Sequence, residues 1–372
     1  MTVMQGDTKK KVGIVTFHTA LNYGAIMQSY ALQHFLYEKG IDNEIIDYRC
    51  PFIEKCYSPF FVSDGKVLNS LIRGVMFGHT IRRKHVVFKR FIDTHLQLSQ
   101  EFQDRDSIQR VRDNYSYFIS GSDQVWSPIS AGFDPVYFLP FAKDEQKISY
   151  AASIGTNSLS DEQFLEYKNR LEGFSCLSVR EGTAKDVLRR LDPEREIFVH
   201  VDPTLLLCKE SWYNLLGSLP DNIPAEYLLI FNVEKPISDV EFAKRKAKEM
   251  GLSVVYINDR TLRKDKDIIY VEAPAPDVFL TLFANAKAVV TNSFHGTVFS
   301  IVFHKNFFVE LDNKKQRNIR VENLLQELNI KHREITNEDI GKTEKIDWEY
   351  ASQVLQVKRS EASDYFDKVL KR

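Results

Sequence analysis

Lys11-Val12-Gly13-Ile14-Val15-Thr16-Phe17 is a short apolar run rich in β-branched residues, and it reads as a strand buried on both faces. A polar turn follows, His18 to Tyr23, and then Gly24. From Ala25 to Lys39 the apolar residues Ile26, Tyr30, Leu32, Phe35 and Leu36 recur at helical spacing, and Gly40 stops the helix. Glu44-Ile45-Ile46-Asp47-Tyr48 is a second strand. Strand, helix, strand at this spacing is a βαβ unit, which implies a parallel sheet with ligand loops at the strand C-termini.

Outward from this unit, residues from about Pro51 to Arg112 are less regular. Val67–Phe77 and Ile81–Thr94 read as helices with basic clusters at Arg82-Arg83-Lys84 and Lys89-Arg90, either solvated faces or an acceptor-binding insertion. Regular order resumes with strands Tyr115–Ser120, Lys147–Ala152, Cys176–Arg180 and Ile197–His200, and with helices Ser160–Leu171 and Thr183–Leu191. Gly217, Pro220 and Pro224 then break the pattern. A second α/β series runs from strand Tyr227–Phe231 to helix Val321–Leu328, and Trp348–Leu370 reads as a final helix. The expected organisation is an N-terminal Rossmann-like domain over 1–208, a C-terminal one over 209–345, and a helix over 346–372 packing back on the first. Two α/β units of similar size place the expected substrate cleft between facing strand C-termini.

The chain has 372 residues, 43% of them hydrophobic, enough for two cores. Fifty Lys and Arg against 51 Asp and Glu leave no global basic field for nucleic acid or an anionic membrane, so an anion needs a local site. Cys50, Cys56, Cys176 and Cys208 form no CxxC framework, which suits a reducing cytoplasm, although Cys50 and Cys56 are close enough in sequence to pair. The polar N-terminus has no segment of signal-peptide length, and no run approaches the roughly 20 apolar residues of a bilayer span. A soluble, cytoplasmic protein is expected.

The strongest chemical constellation is Thr291-Asn292-Ser293-Phe294-His295-Gly296-Thr297, where an apolar strand ends in a polar turn and a helix begins. Helix N–H groups with the Ser293 and Thr297 hydroxyls make an anion cradle, and His295 within it can hold phosphate or move a proton. Ser293 as a plain cap and His295 as a turn residue is the equal alternative. In Gly121-Ser122-Asp123-Gln124-Val125-Trp126, Asp123 follows a strand and faces the expected cleft as a base toward a sugar hydroxyl, with Gln124 and Trp126 shaping that surface. Asp123 as an N-cap and Trp126 as core packing weigh the same. Arg180 ends a strand, placed to fork onto a carboxylate or phosphate or to pair with Glu181. Asp202, ending the next strand, reads as a turn initiator.

Asn22 and Tyr23, before the first helix, could contact a sugar or cap it. Arg317 and Arg320 follow a strand in a basic stretch, as anion contacts or as a solvated helix start. No GxGxxG, P-loop, GxSxG, HExxH or Cys/His cluster occurs, so no dinucleotide, ATP or metal site is expected.

Taken in order, these segments resemble the bacterial polysaccharide pyruvyl transferase family. The resemblance rests on Leu21-Asn22-Tyr23-Gly24-Ala25, Gln28-Ser29-Tyr30-Ala31-Leu32, Gly121-Ser122-Asp123-Gln124-Val125-Trp126, Ser178-Val179-Arg180-Glu181, Val201-Asp202-Pro203-Thr204, Asn292-Ser293-Phe294-His295-Gly296 and Arg320-Val321-Glu322-Asn323-Leu324-Leu325. It implies α/β architecture with two Rossmann-like domains facing across a cleft, GT-B-like. It also implies transfer of the pyruvyl group of phosphoenolpyruvate to two hydroxyls of a hexose, plausibly O4 and O6 of galactose, forming a cyclic ketal in exopolysaccharide or capsule biosynthesis. The positions matched by His295 and Arg180 are those that the family associates with donor binding and catalysis.

On this reading His295, Asp123 and Arg180 are catalytic. Asn292, Ser293, Gly296, Thr297 and Arg320 bind the donor, and Asn22, Tyr23, Gln124 and Trp126 the acceptor. No cofactor or metal is expected beyond phosphoenolpyruvate as donor substrate. The expected partners are that donor and a free or lipid-linked glycan, with no nucleic acid and with peripheral contact at the inner membrane face admitted. A GT-B-type glycosyltransferase using a nucleotide-sugar and a non-catalytic sugar-binding protein are the rival readings.

Overall fold

The computed structural model describes residues 11–58, 67–156, 158–233, 239–259, 264–311, 318–335 and 345–370, with only the backbone of 67–73. The first half of the chain forms β1 (Val12–Val15), α1 (Tyr23–Glu38), β2 (Asn43–Tyr48), α2 (Pro51–Cys56), α3 (Val67–His95), β3 (Leu98–Phe102) and β4 (Tyr117–Ser120). β5 (Lys147–Ser149), α4 (Asp161–Leu171), β6 (Leu177–Val179), α5 (Gly182–Leu191) and β7 (Ile197–Val199) complete it. The second half forms α6 (Lys209–Tyr213), β8 (Tyr227–Phe231), α7 (Asp239–Met250), β9 (Ser253–Ile257), β10 (Ile268–Val271), α8 (Pro276–Asn285) and β11 (Ala288–Thr291). It ends with α9 (Phe294–Val302), β12 (Asn306–Val309), α10 (Ile319–Glu327) and α11 (Trp348–Val369).

The first sheet runs in the order β3-β2-β1-β4-β5, with all pairs parallel. β6 and β7 pair in parallel beside it, joined through bridges at Ile148–Cys176 and Ala152–Val179. The second sheet repeats the order as β10-β9-β8-β11-β12, again all parallel. Each order reverses between its first and fourth strands, the position where loops from adjacent strands part and ligands enter an open α/β sheet. Both central strands, VGIV and YLLIF, are wholly buried, as a sheet covered on two faces requires.

Contacts divide the chain into two compact units, one of residues 1–56, 93–206 and 360–372, the other of 57–92 and 207–359. This differs from a linear division at residue 208: most of α3 groups with the second sheet, and the last turns of α11 with the first. Tyr365 on α11 donates to the carbonyl of Ser149 at 2.7 Å, and Phe366 stacks on Tyr150 at 4.9 Å.

Two local expectations are corrected. Val67–His95 is one helix, not two, because Gly78-His79-Thr80 holds no proline and one glycine weakens a helix without ending it. Leu98–Phe102 is a strand within the region read as irregular; it is an edge strand whose half-exposed polar side chains carry no apolar run. All four cysteines are free thiols, so Cys50 and Cys56 do not pair.

Candidate functional site

In the second unit, β11 ends at Thr291 and the chain turns into α9 through Asn292 and Ser293. Ser293 is the N-cap: its Oγ accepts from the amide of Gly296 at 3.3 Å, and its carbonyl accepts from the Thr297 amide and hydroxyl at 2.9 and 3.0 Å. Glycine is required at 296, since a Cβ there would stand 2.2 Å from Thr291 Oγ1. Thr291 Oγ1 in turn bonds the Phe231 carbonyl at 2.5 Å and accepts from the Ser293 amide at 3.0 Å. The turn is thus fixed from below by the strand ends. His295 lies in the first turn of the helix, half-buried, its ring edge-on to Phe294 at 5.1 Å. Arg320, at the start of α10, sits over the same Phe294 ring at 5.5 Å, which brings a cation beside the helix N-terminus.

Asn292 does structural work here. Its Oδ1 accepts from the amide of Val233, and its own amide donates to Oδ1 of Asn232, both at 3.0 Å. The two asparagines clasp the ends of β8 and β11, the adjacent strands at which the order reverses. Thr297 is fully buried with its hydroxyl committed to Ser293, so its expected part in an anion cradle is corrected to a cap contact. Arg317 lies outside the described residues.

Asp239, at the first position of α7, was not read from sequence. It is fully buried, and burial first, with the charge of Glu310 second, pushes its carboxyl up to about 7. Its only signal was an acid after a strand and a loop.

In the first unit, three strand ends converge. Arg180 follows β6, Asp202 follows β7, and Asp123 follows β4 through Gly121-Ser122. Arg180 Nη1 lies 2.6 Å from Asp202 Oδ2, its Nε 3.2 Å from Glu181 Oε1, and its Nη2 3.9 Å from Asp123 Oδ1. Burial alone would lower the Arg180 pKa, but Glu181, Asp202 and Asp123 together raise it. Three carboxylates converging on one guanidinium work against holding a further anion, so the expectation that Arg180 grips the donor is replaced by a buried ion-pair centre. Asp202 initiates the turn as expected, its Oδ1 accepting from the Thr204 amide and hydroxyl at 3.0 and 2.6 Å, and its Oδ2 adds the pair with Arg180.

Asp123 has a φ of +73°, a left-handed backbone that Asp tolerates better than most residues, and its Oδ1 accepts from the Gln124 amide at 2.8 Å. The side chain stays partly accessible at 18%. Gln124 is half-buried and accepts from Ser130 Oγ at 3.0 Å. Trp126 is wholly buried, donates to the Tyr137 carbonyl at 3.1 Å, and packs on Phe138 and Phe174. It is core, and its expected role toward an acceptor is withdrawn.

Asn22 is exposed and caps α1 through the Ala25 amide at 3.2 Å, while Tyr23 is buried at 4%. Past β1, sequence reasoning missed His18, which is buried and bonds Asp47 Oδ1 through Nε2 at 2.9 Å. Burial would raise the Asp47 carboxyl, but His18 and Arg49 hold it below the usual range. Thr16 donates to the Ser122 carbonyl at 3.1 Å and accepts from Gln28 at 2.8 Å, tying β1, β4 and α1 together at the reversal of the first sheet.

The model of the polysaccharide pyruvyl transferase family matches residues 22–310, well over half of the chain. No curated protein gives a significant sequence match. Among solved structures, an α-glucosyltransferase in complex with UDP and a 13-mer DNA is similar at TM-score 0.51 and 8% identity, covering 98% of this chain and 100% of that one. A putative UDP-N-acetylglucosamine 2-epimerase from Listeria monocytogenes is similar at TM-score 0.50 and 10% identity, covering 97% and 90%. At such identities the likeness speaks for the fold alone, and the chain has the α/β fold of two Rossmann-like units found in GT-B-like proteins.

Proposed function

Because the chain belongs to the polysaccharide pyruvyl transferase family, we propose that it transfers the pyruvyl group of phosphoenolpyruvate to two hydroxyls of a hexose unit. The product is a cyclic ketal across O4 and O6 of a galactose unit, made for an exopolysaccharide or capsule. The observation that carries this reading is the Ser293-capped start of α9, with His295 in its first turn, at the strand-order reversal of the second sheet. Phosphoenolpyruvate carries a carboxylate and a phosphate, which suit first-turn amides and the Arg320 cation.

The reaction protonates the enol CH₂ to a methyl group while one hydroxyl, losing its proton, adds to the same double bond. The second hydroxyl then displaces phosphate, its proton leaving with that group or with a base. Donor and acceptor together thus give ketal and inorganic phosphate, and the scheme calls on no metal or further cofactor. His295 serves the donor by binding phosphate and moving a proton. Ser293, Gly296 and Asn292 shape the turn that presents it. On the first unit, Asp123 serves as base toward an acceptor hydroxyl, Gln124 and the exposed Asn22 lie on its loops, and Arg180 orients the carboxylates around it.

Incubation with phosphoenolpyruvate and a panel of glycans, free and lipid-linked, tests the reading by mass spectrometry for a pyruvate ketal and by phosphate release. Phosphate release that requires the acceptor is expected. Thermal protection by nucleotide-sugars and not by phosphoenolpyruvate, with no ketal formed, would replace it with a glycosyltransferase.

A further inference from the structure

α3 carries six Lys and Arg and one acid, Asp93, in a chain whose 50 basic and 51 acidic residues nearly balance as a whole. At about 100° per residue its two sides separate cleanly. Phe88, Phe91 and Ile92 lie on one side and are buried. From that same side Lys84 reaches Asp259 at 2.6 Å, which anchors the helix in the second unit. The opposite side places Val75, Arg82, Val86, Lys89 and Asp93 in line, with Arg83 and Arg90 beside them, all exposed, so that four cations stand against one acid on this face.

Val75 is 84% exposed, Val86 68% and neighbouring Met76 48%. One exposed valine is ordinary. Apolar side chains alternating with four exposed cations along one stripe form a pattern, and packing does not explain it, because the other side of the helix already meets that need. We propose that this face of α3 docks on the anionic headgroup surface of a lipid bilayer. Cations meet the phosphates there, and the valines and methionine enter the boundary with the acyl chains. A polynucleotide would satisfy the cations but offers no apolar phase to Val75, Met76 and Val86. No helix among the described residues is long and apolar enough to cross a membrane, so the contact is peripheral. The assignment stands apart from the reaction proposed above and does not depend on it.

Cosedimentation of the full chain with vesicles of phosphatidylcholine, alone or mixed with phosphatidylglycerol, tests it. Binding to the mixed vesicles only, released by salt, is expected. Arg82→Glu with Arg83→Glu should weaken binding on the order of ten- to a hundred-fold. Val75→Ser with Val86→Ser should weaken it while leaving the salt dependence in place. All four positions are exposed, so melting temperatures should hold; should the glutamate pair melt early, Arg82→Gln with Arg83→Gln replaces it. Equal binding to both vesicle types, or wild-type binding by the arginine variants, overturns the proposal. So does tight binding of a single-stranded oligonucleotide that the valine changes leave untouched, which would assign the face to a polynucleotide.

Discussion

Arg180 and Asp202, the residues that follow β6 and β7, form a buried ion pair with Nη1 2.6 Å from Oδ2 and side chains 3% and 0% exposed. Taking Arg180 away strands the Asp202 carboxylate without water, and taking Asp202 away costs Arg180 its nearest partner and leaves the buried Thr204 amide and hydroxyl unmet. Asp202→Ala should therefore cost about 3–5 kcal/mol in urea unfolding. Arg180→Met leaves the carboxylates of Asp123, Glu181 and Asp202 facing one another without their cation, so it should cost at least as much. A folded Arg180→Met variant as stable as the wild type would show that the carboxylates do not depend on Arg180.

His295→Ala should keep the fold, since the residue is only partly buried and the cap of α9 belongs to Ser293. Turnover should fall by about 10²–10⁴. A folded variant with wild-type phosphate release removes His295 from the chemistry.

Asp123→Asn separates charge from scaffold, because Asn also tolerates the left-handed backbone and can accept from the Gln124 amide. Stability should hold within about 0.5 kcal/mol, while kcat drops by a factor on the order of 10²–10⁴. Unchanged acceptor kinetics would reduce Asp123 to a turn residue.

Gly296→Ala drives a methyl group onto Thr291 Oγ1 and should destabilise by about 1–3 kcal/mol. Adding Thr291→Ala removes the obstructing hydroxyl, so the double variant should lose less than the sum of the two single losses. Strict additivity in thermal melts would mean that the turn relaxes some other way.

Asp239 has its carboxyl raised to about 7, so it stays largely protonated in the folded chain at pH values where the unfolded chain ionises it. Its contribution is fully present below about pH 4 and is lost as pH rises through 7, amounting to a few kcal/mol at most. Asp239→Asn should thus gain on the wild type in melting temperature from pH 5 to pH 8. A gap that stays flat over that range would mean that the carboxyl is not held protonated.

Much of the fold was legible locally. Val12–Val15 and Tyr227–Phe231 announce themselves as buried strands, and Ser160–Leu171 as the helix that α4 forms. Leu98–Phe102 did not, because an edge strand is defined by its partner β2 more than by its own side chains. Trp126 stayed open between core and acceptor surface for a related reason: Phe138 and Phe174, which enclose it, arrive from elsewhere in the chain.

The candidate site divides along that line. Order along the chain was enough to identify two α/β series, the family, and the turn from Thr291 to Thr297 as a capped helix start, since each depends on residues a few positions apart. Only the folded chain could set Arg180 among Asp123, Glu181 and Asp202, or clasp Asn232 to Asn292. Parallel strands bring their C-terminal ends to one edge whatever their separation in sequence, so the charges that meet there are chosen by sheet order and not by spacing.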